Sequence, residues 1–327
     1  RGAINAWFES MSGFTTTGAT VISHNMSPNC IPGTTIDCIN EQPRGILLWR
    51  SLTQWLGGMG IIMLGMMLLS RVMGGGMALA RAELTGPSLS RLRPKLKETA
   101  FALWMIYILL TFIEMLLLHF VGQMSLFDSV NHGFTTMATG GFSTRDASIG
   151  YYDSVAVETI IIIFMFIGGV NFTLIWFLIA KEYMKAFADE EFKTYLVYIF
   201  TAVLFMMVAL ISTNVSLGDS FRQSLFHALS IGTSTGYTTQ DYVTWPVISQ
   251  FVLMILMIVG ACAGSTSGGL KLMRIILAFK VAMRELVRIA QPRKIKQIRM
   301  NGEVVEGQQI DKIVGMLFVW IGLFGIS

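Results

Sequence analysis

Charged residues are scarce in this chain. Asp, Glu, Lys and Arg make up 13% of its 327 residues, whereas hydrophobic residues make up 53% and the mean hydropathy is +0.61. Soluble globular domains carry about 25% charged residues, so the composition excludes that class. It predicts a membrane protein whose apolar segments are solvated by lipid.

Histidine and cysteine are also rare, with four and three residues respectively. This scarcity excludes a disulfide-rich scaffold and a Cys/His metal cluster. The sequence also lacks a His-Glu-x-x-His pair and a Gly-Lys-Ser/Thr phosphate loop, and we therefore predict neither an enzyme nor a bound cofactor. Cys30 and Cys38 lie eight positions apart, a spacing that suits either a small disulfide loop or two free thiols.

Long apolar runs predict an all-α, polytopic membrane fold. A helix needs about 20 residues to cross about 30 Å of hydrocarbon, and a sixth run of this kind begins near Ile310. The chain starts with Arg1 rather than Met, which favours a piece of a longer protein. The five complete runs cover residues 46–70, 99–121, 154–180, 194–213 and 247–280.

The positive charges predict an orientation. Of the 24 Lys and Arg residues, 19 lie in segments 71–98, 181–193 and 271–312. Because such residues concentrate in cytoplasmic loops, we expect these segments to face the cytoplasm and the intervening loops to face outside. Topology and contact with anionic lipid account for the pI near 9.0 without nucleic acid. The basic segment Arg284–Arg299 suits a cytoplasmic docking partner as well as it suits simple topology.

A Thr-Gly pattern occurs three times, each time after a short segment of mixed polarity and before a long apolar run. This order is typical of a re-entrant pore loop. Glycine permits a turn with positive φ, so that successive carbonyl oxygens can face a common axis, and the Thr hydroxyls can add ligands or brace the turn. Rings of oxygen without carboxylates suit a large monovalent cation. The predicted selectivity filter consists of Thr17, Gly18, Thr139, Gly140, Thr235 and Gly236.

The spacing around these motifs predicts internal duplication. Gly140 comes 41 residues after Thr99, and Gly236 comes 42 residues after Thr194. The segment before each motif suits a half-helix whose carboxyl end offers partial negative charge to a cation. In this alignment Phe8, Val130 and Phe226 share one position, and Glu9, Asn131 and His227 share the next.

Each repeated unit is therefore expected to contain an outer helix, a pore half-helix and an inner helix. The predicted map is a partial pore unit 1 at 1–70, a cytoplasmic linker at 71–98, pore unit 2 at 99–180, a second linker at 181–193, pore unit 3 at 194–280, a basic linker at 281–309 and the start of pore unit 4 at 310–327.

Glycine clusters interrupt the inner helices at Gly57–Gly60, Gly168–Asn171 and Gly260–Gly269. Close helix packing through small residues accounts for the first two clusters and is the alternative for the third. A ten-residue Gly/Ser/Thr-rich stretch in an apolar run is tolerable only where it lines water or is buried in protein, so we predict a gate beneath the filter. The predicted gate residues are Gly260, Gly264, Ser265, Thr266, Ser267, Gly268 and Gly269.

Isolated polar residues allow further interpretations. Asp146 and Asp241 follow their filter glycines in outside loops, where they either raise the local cation concentration or are simply solvated. Glu114 and Arg50 lie inside apolar runs and are expected to face protein or water. Three histidines lack metal-ligand spacing and are interpreted as interfacial or packing residues: His119, His132 and His227.

Four segments closely resemble the TrkH subunit of the Trk/Ktr/HKT potassium transporter family: Phe8–Thr20, Gln54–Gly60, Gly140–Thr144 and Gly264–Lys271. The likeness runs over nearly the whole chain. It implies a potassium-channel-like, pseudo-fourfold arrangement of four linked units around one pathway for K⁺ uptake across the cell inner membrane, by channel or symport. Carried onto this chain, Gly18, Gly140 and Gly236 are the filter glycines and Gly260–Gly269 is the gating loop.

The resemblance also implies a homodimer and a cytoplasmic nucleotide-binding regulatory subunit similar to TrkA. Relatives that favour sodium can replace the first filter glycine by Ser, so the retained Gly18 favours potassium. The first outer helix, the fourth pore loop and the fourth inner helix are not in this sequence, and we expect a longer parent protein to contain them. Two alternatives stay open: a secondary transporter of another solute and a sodium-permeable relative.

Overall fold

The fold is described by a computed structural model that covers residues 2–22, 30, 37–60, 96–291, 297–305 and 307–326. The predicted linker 71–98, apart from its last three residues, and the end of the first inner run lie outside the described residues. The helices are α1 (Gly2–Phe14), α2 (Arg44–Trp55), α3 (Leu96–Phe120), α4 (Leu126–Met137), α5 (Val155–Gly169), α6 (Phe172–Ile179), α7 (Tyr183–Ala188), α8 (Glu190–Ile211), α9 (Leu217–Gly232), α10 (Val247–Val259), α11 (Leu272–Ala290) and α12 (Gly307–Ile326).

Short elements complete the described chain. A π-helical turn, Leu56–Gly60, extends α2, and 3₁₀ turns occur at Ser148–Tyr152 and Tyr242–Thr244. Strands β1 (Arg299–Met300) and β2 (Glu303–Val304) form an antiparallel hairpin in which Arg299 pairs with Val304. The predicted helical membrane fold is confirmed, and this small hairpin is an addition to it.

Two predicted runs form helices long and apolar enough to cross a membrane, Phe101–Phe120 in α3 and Glu190–Ile211 in α8. The run 154–180 is bent by 103° between α5 and α6. The run 247–280 is divided by an irregular loop at residues 260–271. Both interruptions occur at the glycine clusters that the sequence predicts to break these helices, Gly168–Asn171 and Gly260–Gly269.

The second and third pore units are built alike. Helices α3, α4 and α5 pack against one another, and so do α8, α9 and α10. Inner helix α2 also packs on pore helix α4, and inner helix α5 packs on pore helix α9. Each of these inner helices therefore contacts the pore helix of the following unit, which brings successive filter turns together.

Both of these pore helices begin with the same local signal. The hydroxyl of Ser125 accepts a hydrogen bond from the amide of Asp128 at 3.0 Å, and the hydroxyl of Ser216 accepts one from the amide of Asp219 at 3.2 Å. The Ser hydroxyl satisfies a free amide at the start of the helix. The carboxylate in the first turn interacts favourably with the positive end of the helix dipole. Helix α9 has 16 residues and α4 has 12, so the third pore helix is about one turn longer.

The interior is one large aromatic and aliphatic cluster that includes fully buried Tyr107, Phe172, Tyr195 and Tyr237. Many large apolar side chains nevertheless lie on the outside of the helices: Phe112 of α3 is 57% exposed and Phe200 of α8 is 70% exposed. Such surfaces are costly in water and suit contact with lipid. The exposed apolar helices and the buried polar turns together indicate a membrane protein.

Candidate functional site

The three filter turns share one backbone conformation. Each turn has two residues with positive φ, separated by a single residue. The pairs are Thr16 and Gly18 (53° and 75°), Thr139 and Gly141 (49° and 77°), and Ser234 and Gly236 (58° and 86°). The residue between them donates its amide hydrogen bond to the pore helix: Thr17 to Ser12 O, Gly140 to Thr135 O and Thr235 to Ser230 O.

This common geometry corrects the predicted alignment. Gly141, rather than Gly140, has the positive φ of 77° and is equivalent to Gly18 and Gly236. The expected positive φ at Gly140 is wrong because two adjacent glycines are present and the second one occupies the turn. With this correction the glycine lies 42 residues after Thr99, the same spacing as in the third unit. In the corrected alignment His132, not Asn131, is equivalent to Glu9 and His227. Asn131, not Val130, is equivalent to Phe8 and Phe226.

The turns touch one another through their backbones. A Cβ atom placed on Gly18 would lie 2.1 Å from the carbonyl oxygen of Gly140, and one on Gly141 would lie 1.8 Å from the carbonyl oxygen of Thr235. A side chain at either glycine would therefore displace a filter carbonyl. The corresponding direction at Gly236 has no described atom within 4 Å.

Gln54 of α2 holds the second turn in place. Its Nε2 donates to the carbonyl of Gly140 at 2.7 Å, and its Oε1 accepts from the amide of Phe142 at 3.1 Å. The side chain is fully buried. Gln54 belongs to the motif Gln54–Gly60, but its role in bracing the second turn was not predicted; the only signal in the sequence is a lone amide inside an apolar run.

Arg50 of α2 connects the segments that follow the first and second filter turns. Its Nε lies 3.1 Å from a carboxylate oxygen of Glu9, its Nη2 donates to the hydroxyl of Thr20 at 3.2 Å, and its guanidinium lies 4.0 Å from the centre of the Phe142 ring. Arg50 is 4% exposed, which confirms the expectation that it faces protein. The ion pair and the ring contact offset the cost of burying its charge.

The histidines serve in packing and hydrogen bonding, as predicted. His132 is fully buried, with Nδ1 2.8 Å from the carbonyl of Asp128 and Nε2 3.0 Å from the hydroxyl of Ser143. His227 has its Nδ1 3.0 Å from the carbonyl of Gln223, and His119 has its Nδ1 2.9 Å from the carbonyl of Met124. No group of three His, Cys, Asp or Glu residues suited to a metal occurs among the described residues.

Tyr237, which directly follows the third filter turn, connects that turn to the second pore helix, α4. Its hydroxyl contacts the hydroxyl of Thr135 and lies 3.3 Å from that of Thr136. Behind Thr136, Glu114 of α3 is fully buried, and neither carboxylate oxygen has a hydrogen bond among the described residues. Glu114 therefore faces protein, one of its two expected environments.

The glycine-rich loop, residues 260–271, lies between the third filter turn and the bend of the second unit. Its Gly268 amide donates to the hydroxyl of Ser234 at 2.6 Å, next to the filter. On the other side, the amides of Cys262 and Thr266 donate to the carbonyls of Gly169 and Gly168 at 3.1 and 3.2 Å. Neighbouring elements thus satisfy backbone groups that a helix would have paired internally.

The first part of the loop is buried, Gly268 and Gly269 are exposed, and the loop contains its own cation. Ala261 and Cys262 are fully buried, and Ala263 is 2% exposed. The Nζ of Lys271, which is 8% exposed, contacts the carbonyl of Ser267 and lies 3.4 Å from that of Ser265. The three remaining predicted gate residues also lie in this loop, where Gly260, Gly264 and Gly269 have positive φ.

The loops that are predicted to face outside are held by a disulfide and by two carboxylates. Cys30 and Cys38 form a disulfide. The Asp146 carboxylate accepts hydrogen bonds from the amides of Cys38 and Ile39 at 2.7 and 3.0 Å, and that of Asp241 accepts one from the amide of Val243 at 3.0 Å. Both carboxylates therefore stabilise loop backbone.

The sequence and the fold of this chain are similar to those of known transport proteins. The sequence model of the TrkH family, described as a cation transport protein, matches residues 2–326. The chain is 39% identical to the Trk system potassium uptake protein TrkH of Escherichia coli K12 over 99% of its length and 65% of that protein. It is 38% identical to TrkH of Vibrio parahaemolyticus, over 98% of the chain and 64% of that protein.

The crystal structure of the potassium transporter TrkH from Vibrio parahaemolyticus has a similar fold, with a TM-score of 0.80 and 33% identity. That likeness covers 98% of this chain and 64% of the solved one. The chain thus spans slightly less than two thirds of the relatives that it matches. With a family match over residues 2–326 and a fold similar to that of a solved TrkH protein, the chain belongs to the TrkH family of cation transport proteins.

Proposed function

We propose that this chain contributes the greater part of a pathway for K⁺ uptake across a cell membrane. The observation that carries the proposal is the convergence of three equivalent turns, residues 16–18, 139–141 and 234–236, whose backbones are in contact. Carbonyl oxygens in such rings replace the hydration shell of K⁺ without carboxylate ligands. The relatives named potassium uptake proteins support the same substrate.

In this proposal the filter comprises Thr17, Gly18, Gly140, Gly141, Thr235 and Gly236, with Thr139 at the first positive φ of its turn. A fourth pore segment would complete the ring on the side where Gly236 faces open space. Residues 260–269 act as the gate, since they contact the filter turn at Ser234 and are held in place by other elements rather than by helix hydrogen bonds. Transport through such a pathway needs no catalytic step.

The proposed orientation places the filter loops outside and the basic segments in the cytoplasm. The unit boundaries at residues 70, 98, 180, 193, 280 and 309 follow the same scheme. A homodimer and a cytoplasmic nucleotide-binding regulatory subunit complete the proposed assembly, and the basic segment from Arg284 offers docking charge to that subunit.

Substitution of Gly18 tests the filter. In proteoliposomes containing the full-length protein, Gly18→Ser should lower the preference for K⁺ over Na⁺, measured by competition with rubidium influx, by about tenfold. The physical reason is the 2.1 Å approach of a Cβ at this position to the carbonyl of Gly140. Gly45→Ser is the matched control, because Gly45 has open space around its Cβ position. Unchanged selectivity and flux in Gly18→Ser would remove this turn from the pathway.

A further inference from the structure

The first residues of α8 connect two distant parts of the molecule. Asp189 caps this helix by accepting the amide of Phe192 at 2.9 Å, and Glu190 and Glu191 form its first turn. One side of this short segment contacts the glycine-rich loop, and the other contacts the hairpin of β1 and β2. The proposed function assigns no role to any of these acidic residues.

Glu191 holds the loop at two points. Its Oε1 accepts hydrogen bonds from the amide of Ala263 at 2.7 Å and from the amide of Met273 at 3.0 Å. Ala263 lies inside the loop, and Met273 lies in the first turn of α11. The N-cap residue of α11, Lys271, makes no side-chain hydrogen bond to the free amides of that turn. Glu191 is 1% exposed, so its carboxylate fixes both ends of segment 263–273 within the protein interior.

Asn301 holds the other side of the same helix turn. Its Oδ1 accepts from the amide of Glu190 at 2.8 Å, and its Nδ2 donates to the carboxylate of Asp189 at 2.7 Å. Asn301 and Gly302 have φ of 52° and 80°, the conformation for which Asn-Gly hairpin turns are selected. The Nζ of Lys280 contacts both the carboxylate of Glu190 and the carbonyl of Arg299, and so links α8 to the hairpin.

A small apolar cluster joins the hairpin to the loop as well. Met300 is fully buried, and Ile298 is 5% exposed. Both residues belong to one cluster with Ala263 and Met273. Polar and apolar contacts therefore connect residues 297–305 to the two positions that Glu191 holds.

We infer that Glu191 is a positioning residue for the gate, and that the hairpin at residues 297–305 controls it through Asn301 and the first turn of α8. A pull on the hairpin would shift this turn and release the amides of residues 263 and 273 together. The inference rests on the proposed function, because it takes the loop to be the gate. It gives a cytoplasmic partner that docks on the basic segment a direct mechanical route to the ion pathway.

Three variants of the full-length protein in proteoliposomes test this inference. Glu191→Ala removes the acceptor of both amides, whereas Glu191→Gln keeps an oxygen at the same place and is the matched control. Asn301→Gly removes the side chain and still accommodates the positive φ. The two readouts are basal rubidium influx and the rate at which a thiol reagent labels Cys262, a fully buried free cysteine in the loop, quantified by mass spectrometry.

Glu191→Ala is expected to speed labelling of Cys262 about tenfold and to raise basal influx at an unchanged preference for K⁺ over Na⁺. Asn301→Gly should change both in the same direction by about threefold, and Glu191→Gln should stay within about twofold of the parent protein. The inference is overturned if Glu191→Ala and Asn301→Gly leave labelling and influx within that twofold range, or if Glu191→Gln has the same effect as Glu191→Ala. Should Glu191→Ala fail to fold, Asn301→Gly decides alone. Labelling of Cys262 does not depend on any ion, so it separates failure of this inference from failure of the K⁺ filter, which Gly18→Ser reports.

Discussion

The inner helices of the second and third units are interrupted at corresponding places, but the two breaks differ in what stabilises them. In the second unit the break is short, and the Oδ1 of Asn171 caps the new helix by accepting the amide of Thr173 at 2.9 Å. In the third unit residues 260–271 rely on Ser234, Glu191 and the carbonyls of the neighbouring bend. Although the two breaks also bond to each other, through Phe172 and Gly264 among others, only the second has a cap of its own. We therefore treat the second break as a fixed corner and the third as a loop that can open when the elements holding it move.

The filter turns of the same two units differ as well. The second unit has two consecutive glycines, and its turn is enclosed by Gln54 on one side and by the carbonyl of Thr235 on the other. The third unit has a single glycine, which faces open space in the described structure. Among the described residues, the second unit thus has the more enclosed filter turn and the self-capped break.

The largest expected effect distinguishes the two glycines of the second turn. Gly141→Ala should reduce rubidium influx to about 1% of the parent value, because its φ is 77° and its Cβ would lie 1.8 Å from the carbonyl of Thr235. Gly140→Ala should cost only about tenfold, since Gly140 has no positive φ and its Cβ would meet the end of the Gln54 side chain rather than backbone. Influx into proteoliposomes measures both. A more severe effect at Gly140 would restore the alignment that the sequence alone suggested.

Local composition was enough to predict the parts of this molecule that are themselves local. The three Thr-Gly motifs, the glycine-rich stretch at 260–269 and the runs that became α3 and α8 were all visible in short windows of sequence, and membership of the TrkH family followed from them. Whether Gly140 or Gly141 takes the positive φ was not visible, because the choice depends on how the turn meets Thr235 of another unit.

The supporting residues were missed for a similar reason. Glu191 stands in an ordinary acidic helix start, and Ser234 in an ordinary turn. Their roles come from hydrogen bonds to amides 72 and 34 positions away in the chain. Gln54 likewise acts over a separation of 86 residues. No periodicity or spacing rule connects residues so far apart, so these contacts required coordinates.

A smaller effect is expected at Ser234, which links the filter to the loop only in the third unit. Its hydroxyl donates to the carbonyl of its neighbour Thr233, as the equivalent Thr139 does to that of Ala138, but it also accepts the Gly268 amide at 2.6 Å. Ser234→Gly keeps the φ of 58° accessible and removes this acceptor. Loss of the hydrogen bond from Gly268, about 1 kcal/mol, should raise basal rubidium influx about fivefold.

Thr139→Ser is the control for this variant, because it keeps a hydroxyl at the equivalent place in the unit whose break is fixed. It should leave basal influx within about twofold of the parent protein. If Thr139→Ser raised influx as much as Ser234→Gly, the two units would be equally mobile, and the distinction between a fixed corner and a conditional loop would be lost.

The smallest effect is expected at the fixed corner itself. Asn171→Ala removes the cap of α6 and should cost about 1 kcal/mol of stability, which lowers the apparent unfolding temperature in detergent by about 2 °C. Asn171→Ser retains a capping oxygen and should stay within about 1 °C of the parent protein. Rubidium influx should change by less than about twofold in both variants, because Asn171 caps the corner from within its own unit. A large rise in influx with Asn171→Ala would instead show that the bend of the second unit takes part in gating, and both breaks would then have to be treated as parts of one gate.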